Sequence, residues 1–235
     1  MQRRRLLPRL TKRSSGSLFP LAESRLIRLR PTKSLPPSLL PTSARPLAVA
    51  ITGGIGAGKS SALEAFARHG AATKSSDEIV HRLLREDPEV RRELVERFGT
   101  EVIGSDGADR EVIARVVFND PAELDWLEEL LHPRVVREHL AWREELARSA
   151  EPPRVSVTEV PLLYETGGDK RFDVVVVITA SPELREARRP IADRREERLL
   201  PDEEKIRLAD YSYVNDGTLE ELDNFVAGVM ARLEQ

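Results

Sequence analysis

Hydrophobic and polar positions fall into two regimes along the chain. Up to residue 46 they follow neither a helical nor an alternating period. From Leu47 the text becomes regular. The run LAVAIT at 47–52 is apolar throughout and ends in glycines, as a parallel strand buried on both faces does. Residues 60–69 put Leu63, Phe66 and Ala67 on one helical face before Gly70 closes the segment. Residues 71–75 predict a second strand, and 77–85 a helix with Ile79, Val80, Leu83 and Leu84 apolar. Asp87 and Pro88 read as the cap and first position of a further helix, whose stripe is Val90, Leu94, Val95 and Phe98 and whose stop is Gly99. A turn at 104–107 separates it from helices predicted over 110–118, 120–131 and, restarted by Pro133, 133–150.

Strands return at 154–160 and 173–179, again without polar alternation. Ser181 and Pro182 open a helix, 190–201 is charged and irregular, and 202–210 is helical. A fifth strand at 211–214 and an amphipathic helix at 218–233 complete the pattern. Five short strands separated by helices predict an α/β fold with a doubly wound, five-stranded parallel sheet. Two insertions interrupt the alternation, at 77–150 and 186–201, within a domain running from 47 to 235.

Charge sharpens the boundary at 46. Residues 1–46 carry eleven Lys and Arg against the single acid Glu23, and seven prolines. The remaining residues, to 235, carry a net charge of −13, although the whole chain is only −3. Proline removes amide donors and breaks helices, so this basic, Pro- and Ser-rich extension is expected to be disordered. Three readings stand for it: sequence upstream of a later start, an organellar transit peptide, or a basic arm. The absence of cysteine excludes a disulfide scaffold, a thiolate metal site and a cysteine nucleophile. No apolar run is long enough to span a bilayer, so a cytoplasmic protein without a membrane partner is expected.

The chemistry begins directly after the first strand. Gly53, Gly58, Lys59 and Ser60 occupy the fixed positions of the pattern GxxxxGK[ST], between a strand and a helix. Such a loop turns its amides inward around phosphate oxygens, helped by the positive end of the helix that follows. Gly54, Gly56, Ala57, Gly58, Lys59, Ser60 and Ser61 are therefore candidate ATP-binding residues. Lys59 would reach the β and γ phosphates, and the Ser60 hydroxyl would ligate Mg2+. The late strand is not followed by the N/T-K-x-D sequence of guanine readers, and no strand ends in Asp-Glu as in motor ATPases. A small-molecule kinase remains, for which the two insertions supply an acceptor-binding region and a short lid.

Several motifs in order resemble one such family, the dephospho-coenzyme A kinases. They are the phosphate loop, Ser76-Asp77, Leu131-His132-Pro133, Val160-Pro161-Leu162-Leu163-Tyr164-Glu165, and Ala209-Asp210 followed by Asn215. The resemblance covers 48–234. It implies a P-loop kinase that uses ATP and Mg2+ to phosphorylate the ribose 3′-hydroxyl of dephospho-CoA, giving coenzyme A and ADP. Asp77 falls where the family has its proposed general base; by position alone it would equally cap the helix beginning at 78. Glu159 stands where an Asp is usual, a candidate outer ligand of Mg2+ or a structural salt bridge. Lid arginines are implied as catalytic, Arg188 and Arg195 aligning best among Arg188, Arg189, Arg194, Arg195 and Arg198. His132, Leu162, Leu163, Tyr164 and Glu165 are candidate acceptor contacts, and Asn215 a candidate adenine-side residue. The family's Asp-Ala-Asp is Ser75-Ser76-Asp77 here, so Asp77 is expected to act alone.

Expected partners are thus ATP and dephospho-CoA, on a monomer or weak homo-oligomer, without nucleic acid. The alternatives are another nucleoside or nucleotide kinase, and a P-loop ATPase switch using the basic arm on nucleic acid.

Overall fold

The structure, a computed structural model, describes residues 28–29, 45–117, 120–188 and 199–234, with backbone alone at 28–29. The strand LAVAIT forms β2 (Leu47–Thr52), at the centre of a sheet whose other parallel strands are β3 (Ala72–Ser75), β6 (Val155–Glu159), β7 (Val174–Thr179) and β8 (Tyr211–Val214). Their order across the sheet is β8-β7-β2-β6-β3, and β1 (Arg28–Leu29) adds an antiparallel edge beside β8. The rest of the basic extension before Arg45 lies outside the described residues, as does its expected disorder.

The unbroken apolar strands are explained by two covers. One face of the sheet packs Val49, Ile51, Val155, Val157, Val176 and Ile178 against Phe66 of α1 (Lys59–Arg68) and Phe225 and Val229 of α8 (Leu219–Leu233). The other face packs Ala50, Val175 and Val177 against Leu163 and Ala209. Each fully buried aliphatic side chain contributes about 1.5–3 kcal/mol. From β2 the chain crosses to the edge strand β3, returns to β6 beside β2, and only then moves to β7 and β8 on the other side, so the switch point lies between β2 and β6. There the carboxyl ends of β2, β6 and β7 frame a crevice.

A second core belongs to the helices between β3 and β6. These are α2 (Ser76–Glu86), α3 (Pro88–Phe98), α4 (Arg110–Val117) and α5 (Pro121–Arg148), with the hairpin β4 (Ile103–Gly104) and β5 (Gly107–Ala108). Ile79, Leu83, Val90, Leu94, Ile113 and Leu131 close together there. As the sequence predicts, Asp87 caps α3, accepting from Glu89 N and Val90 N at 2.8 and 3.1 Å.

One boundary differs from expectation. Pro133 does not start a new helix but lies inside the 28-residue α5. The Arg134 guanidinium donates to Leu130 O at 2.7 Å, supplying a side-chain donor in the turn that proline disrupts. Leu131, Val135 and His139, at intervals of four, form one buried stripe across the proline. Tertiary packing therefore carries the helix through. Towards the C-terminus lie α6 (Pro182–Arg188) and α7 (Asp202–Leu208). No helix among the described residues is long and apolar enough to cross a membrane.

Candidate active site

The phosphate loop joins β2 to α1 and curls over the switch point. Gly53 has φ +147°, and a Cβ there would lie 1.8 Å from Ile178 O; Gly58, at φ +93°, leaves only 2.2 Å to Asn215 Nδ2. Only glycine fits either position. Two arginines of α6 hold the loop from outside: Arg185 Nε donates to Ile55 O at 3.0 Å and Arg188 Nη1 to Gly56 O at 3.2 Å. Arg188 Nη2 also donates to Asn215 O at 3.1 Å. Asn215, buried behind the loop, donates from Nδ2 to Ala57 O at 2.9 Å. Its amide thus braces the loop.

Lys59 Nζ donates to Gly54 O at 3.0 Å. Burial pushes its ammonium below the ordinary lysine range; Glu159 and Asp77 oppose the shift, while Lys205 and Arg185 add to it. Ser60 Oγ lies 3.5 Å from Glu159 Oε2, at the long limit of a hydrogen bond. Glu159, at the end of β6 and only 4% exposed, is pushed up by burial, which Lys59 opposes. A buried carboxylate beside a loop hydroxyl offers the hard oxygen donors that Mg2+ takes. Ser60 and Glu159 therefore fit as the protein groups around such an ion.

Asp77 lies inside the first turn of α2, whose cap position is Ser75. Its carboxylate does not cap the helix, is exposed, and lines the same cleft as Lys59 and Ser60. Its neighbour Ser76 is buried and donates from Oγ to Glu159 O at 2.6 Å. With that hydrogen committed, Ser76 Oγ accepts from His139 Nε2 at 3.0 Å. This fixes the neutral Nε2–H tautomer of His139, and Nδ1 is left without a partner. Burial, then the charges of Arg143, Lys74 and Arg171, lower His139 to about 4.

The cleft is about 1290 Å³ and continues from the loop along α2 and α5. Its walls include Val80, Leu84, Ile113 and Leu131, then His132, Leu162 and Glu165. Leu163 and Tyr164 are placed elsewhere. Leu163 is fully buried in the core under β2 and β7, and Tyr164 packs on that cluster. Glu165 is engaged from behind: Lys205 Nζ, completely buried, lies 2.9 Å from Glu165 Oε1, which also accepts from Leu200 N at 2.9 Å. Arg195, with Arg189, Arg194 and Arg198, lies outside the described residues.

Of the sequence candidates, Gly56, Gly58, Lys59, Ser60, Ser61, Asp77, Glu159, His132, Leu162, Glu165 and Arg188 meet on this one cleft. Gly54, Ala57 and Asn215 shape the loop from behind. Sequence reasoning missed Arg185, His139 and Lys205. Arg185 stands one turn before Arg188, a spacing that could have found it. The other two are betrayed only by burial.

A family model described as Dephospho-CoA kinase (CoaE) matches residues 47–221. The dephospho-CoA kinase of Chlorobaculum tepidum is 37% identical over 201 residues, covering 80% of this chain and 95% of the relative. The protein TT1252 of Thermus thermophilus is 34% identical in its crystal structure, with a TM-score of 0.64 over 80% of this chain and 98% of that one. A dephospho-CoA kinase from Campylobacter jejuni shares the fold at a TM-score of 0.59 and 22% identity, over 79% of this chain and 96% of that one. With a family model matching most of its length and a relative 37% identical over 201 residues, the chain belongs to the dephospho-CoA kinase family.

Proposed function

We propose that this protein transfers the γ-phosphoryl group of ATP to the ribose 3′-hydroxyl of dephospho-CoA, with the roles assigned here to its own residues. Membership of the family supports the reaction. The observation that supports the roles is the single cleft that joins Lys59 and Ser60 to Asp77 and then to an apolar wall. The loop amides and Lys59 hold the phosphates, and Arg188 lies at the loop rim. Asp77, free of any capping bond, orients the acceptor hydroxyl. As the 3′-oxygen bonds to the γ-phosphorus and the bond from that phosphorus to the β-bridging oxygen breaks, the hydroxyl proton passes to the Asp77 carboxylate. The new phosphate monoester leaves on coenzyme A, and ADP carries the bridging oxygen away. Ser60 and Glu159 would hold Mg2+, which would offset charge on the phosphates. The apolar walls of α2, α4 and α5 suit the apolar stretches of the acceptor's pantetheine arm.

An acceptor panel with γ-labelled ATP tests the assignment. Label is expected in coenzyme A, on the full chain and on a variant beginning at Leu47. That boundary is supported by the family match opening there and by the hydrogen bond from Leu47 N to Arg154 O. Label in adenosine or a nucleoside monophosphate, but not in coenzyme A, would overturn it.

A further inference from the structure

Beyond His139 the cleft changes character. α5 carries Arg143 one turn further on, about 6 Å along its axis. Arg171, in the segment before β7, faces the same space, and both arginines line the cleft. Arg143 is held in place: Nη1 donates to Arg171 O at 2.9 Å, and its guanidinium lies 5.1 Å over the Phe172 ring. The acid next in sequence is already taken, because Asp173 accepts from Arg45 at 2.9 and 3.1 Å and from Ala48 N at 2.8 Å. Among the described residues neither Arg143 nor Arg171 has a carboxylate within 4 Å. Lys74 on β3 brings a third cation near His139; its Nζ sits 5.5 Å over Trp142 and makes no ion pair among the described residues.

A further observation points to a ligand. Burial holds Arg143 below its ordinary value; Asp173 opposes the shift and the charges of Arg45 and Arg171 add to it. A partly buried cation left beside other cations is costly unless an anion completes the site.

We propose that Arg143 and Arg171, with Lys74 behind them, form the subsite for the 5′-pyrophosphate of the acceptor. This rests on the reading of the acceptor as dephospho-CoA. The ribose carries its reacting 3′-hydroxyl and its 5′-pyrophosphate on one ring, so an anion subsite must lie within a nucleoside's width of Asp77. Ser76, bonded to His139, adjoins Asp77, and Arg143 is one turn beyond. Planar guanidinium forks suit phosphate oxygens. The subsite also gives a reason for selectivity: a nucleoside without the pyrophosphate leaves these cations unpaired.

The test is calorimetric binding of dephospho-CoA to the full chain, with the nucleotide site filled by a non-hydrolysable ATP analogue, at low and high salt. Wild type is expected to bind less tightly as salt rises. Arg143→Ala and Arg171→Ala should each weaken binding tenfold or more and flatten the salt dependence, with the KM for ATP unchanged. Arg171 is exposed, so its variant carries the test if Arg143→Ala does not fold. Unchanged affinity and salt dependence in Arg171→Ala would overturn the subsite. A wild-type enzyme that moves no label to dephospho-CoA would instead overturn the functional reading on which it rests.

Discussion

Asp77 sits one residue inside α2 instead of at its cap, and that offset leaves its carboxylate without a capping hydrogen bond. Asp77→Asn keeps shape and removes the proton acceptor. General-base catalysis is worth roughly 10²–10⁴-fold, so kcat should fall by about that factor while the KM for ATP stays within about twofold. Wild-type turnover in steady-state assays would remove Asp77 from the role. His139 makes a different prediction, on stability. Its folded value is about 4 against an ordinary 6.5, so between those pH values the unfolded chain binds the proton and the folded chain does not. Stability is therefore intact above about pH 6.5 and is lost as pH falls towards 4, by roughly 3 kcal/mol from this group. Glu159, raised by burial, acts in the opposite sense, so the comparison must be with His139→Gln, in which Glu159 is retained. Urea midpoints from pH 7 to pH 4 should fall more steeply in wild type than in the variant. Parallel curves would show that His139 titrates normally.

Elements differ in how much of them the sequence announces. The strands were legible because burial on both faces leaves no polar position, as in the run VVVVIT of β7. The phosphate loop was legible because its glycines answer to local sterics, seen at Gly53 and Gly58. α5 was not, since Pro133 is a local stop signal overruled by the packing of Leu131, Val135 and His139 on α2 and α4. Leu163 and Tyr164 read as cleft wall because they adjoin Leu162, yet the turn packs both on the core cluster while Val160, Pro161, Leu162 and Glu165 line the cleft. His139 and Lys205 were invisible for a related reason: each acquires meaning from a partner far away in the chain, Ser76 or Glu165. α8 gives the element-level prediction. Thr218 and Glu221 form a reciprocal capping box, with bonds of 3.2 and 2.8 Å. Thr218→Ala should cost about 1 kcal/mol in denaturant unfolding, with activity unchanged because Thr218 does not line the cleft. A loss below a few tenths would mean that α8 is held by its buried face alone.

At the scale of the molecule, an acidic domain must bind two polyanions, and it does so by local concentration of charge. Residues 47–235 carry −13 in sum, yet Lys59, Arg185 and Arg188 converge on one loop. Lys59 donates to Gly54 O, Arg185 to Ile55 O and Asp202, and Arg188 to Gly56 O. ATP with Mg2+ brings compensating negative charge to this loop and should therefore stabilise the fold as a whole. At a hundred times the Kd, mass action gives about 2.7 kcal/mol, which for a domain of this size is a rise of roughly 5–10 °C in Tm. Lys59→Ala removes one of the converging charges. A tenfold loss of affinity at the same ATP concentration halves the stabilisation, because the effect is logarithmic in concentration over Kd. The Tm rise should accordingly fall by about half or more in Lys59→Ala and shrink in wild type as salt increases. Scanning calorimetry with and without MgATP reads both effects. An equal rise in the variant at low and high salt would show that the nucleotide is held somewhere other than this loop.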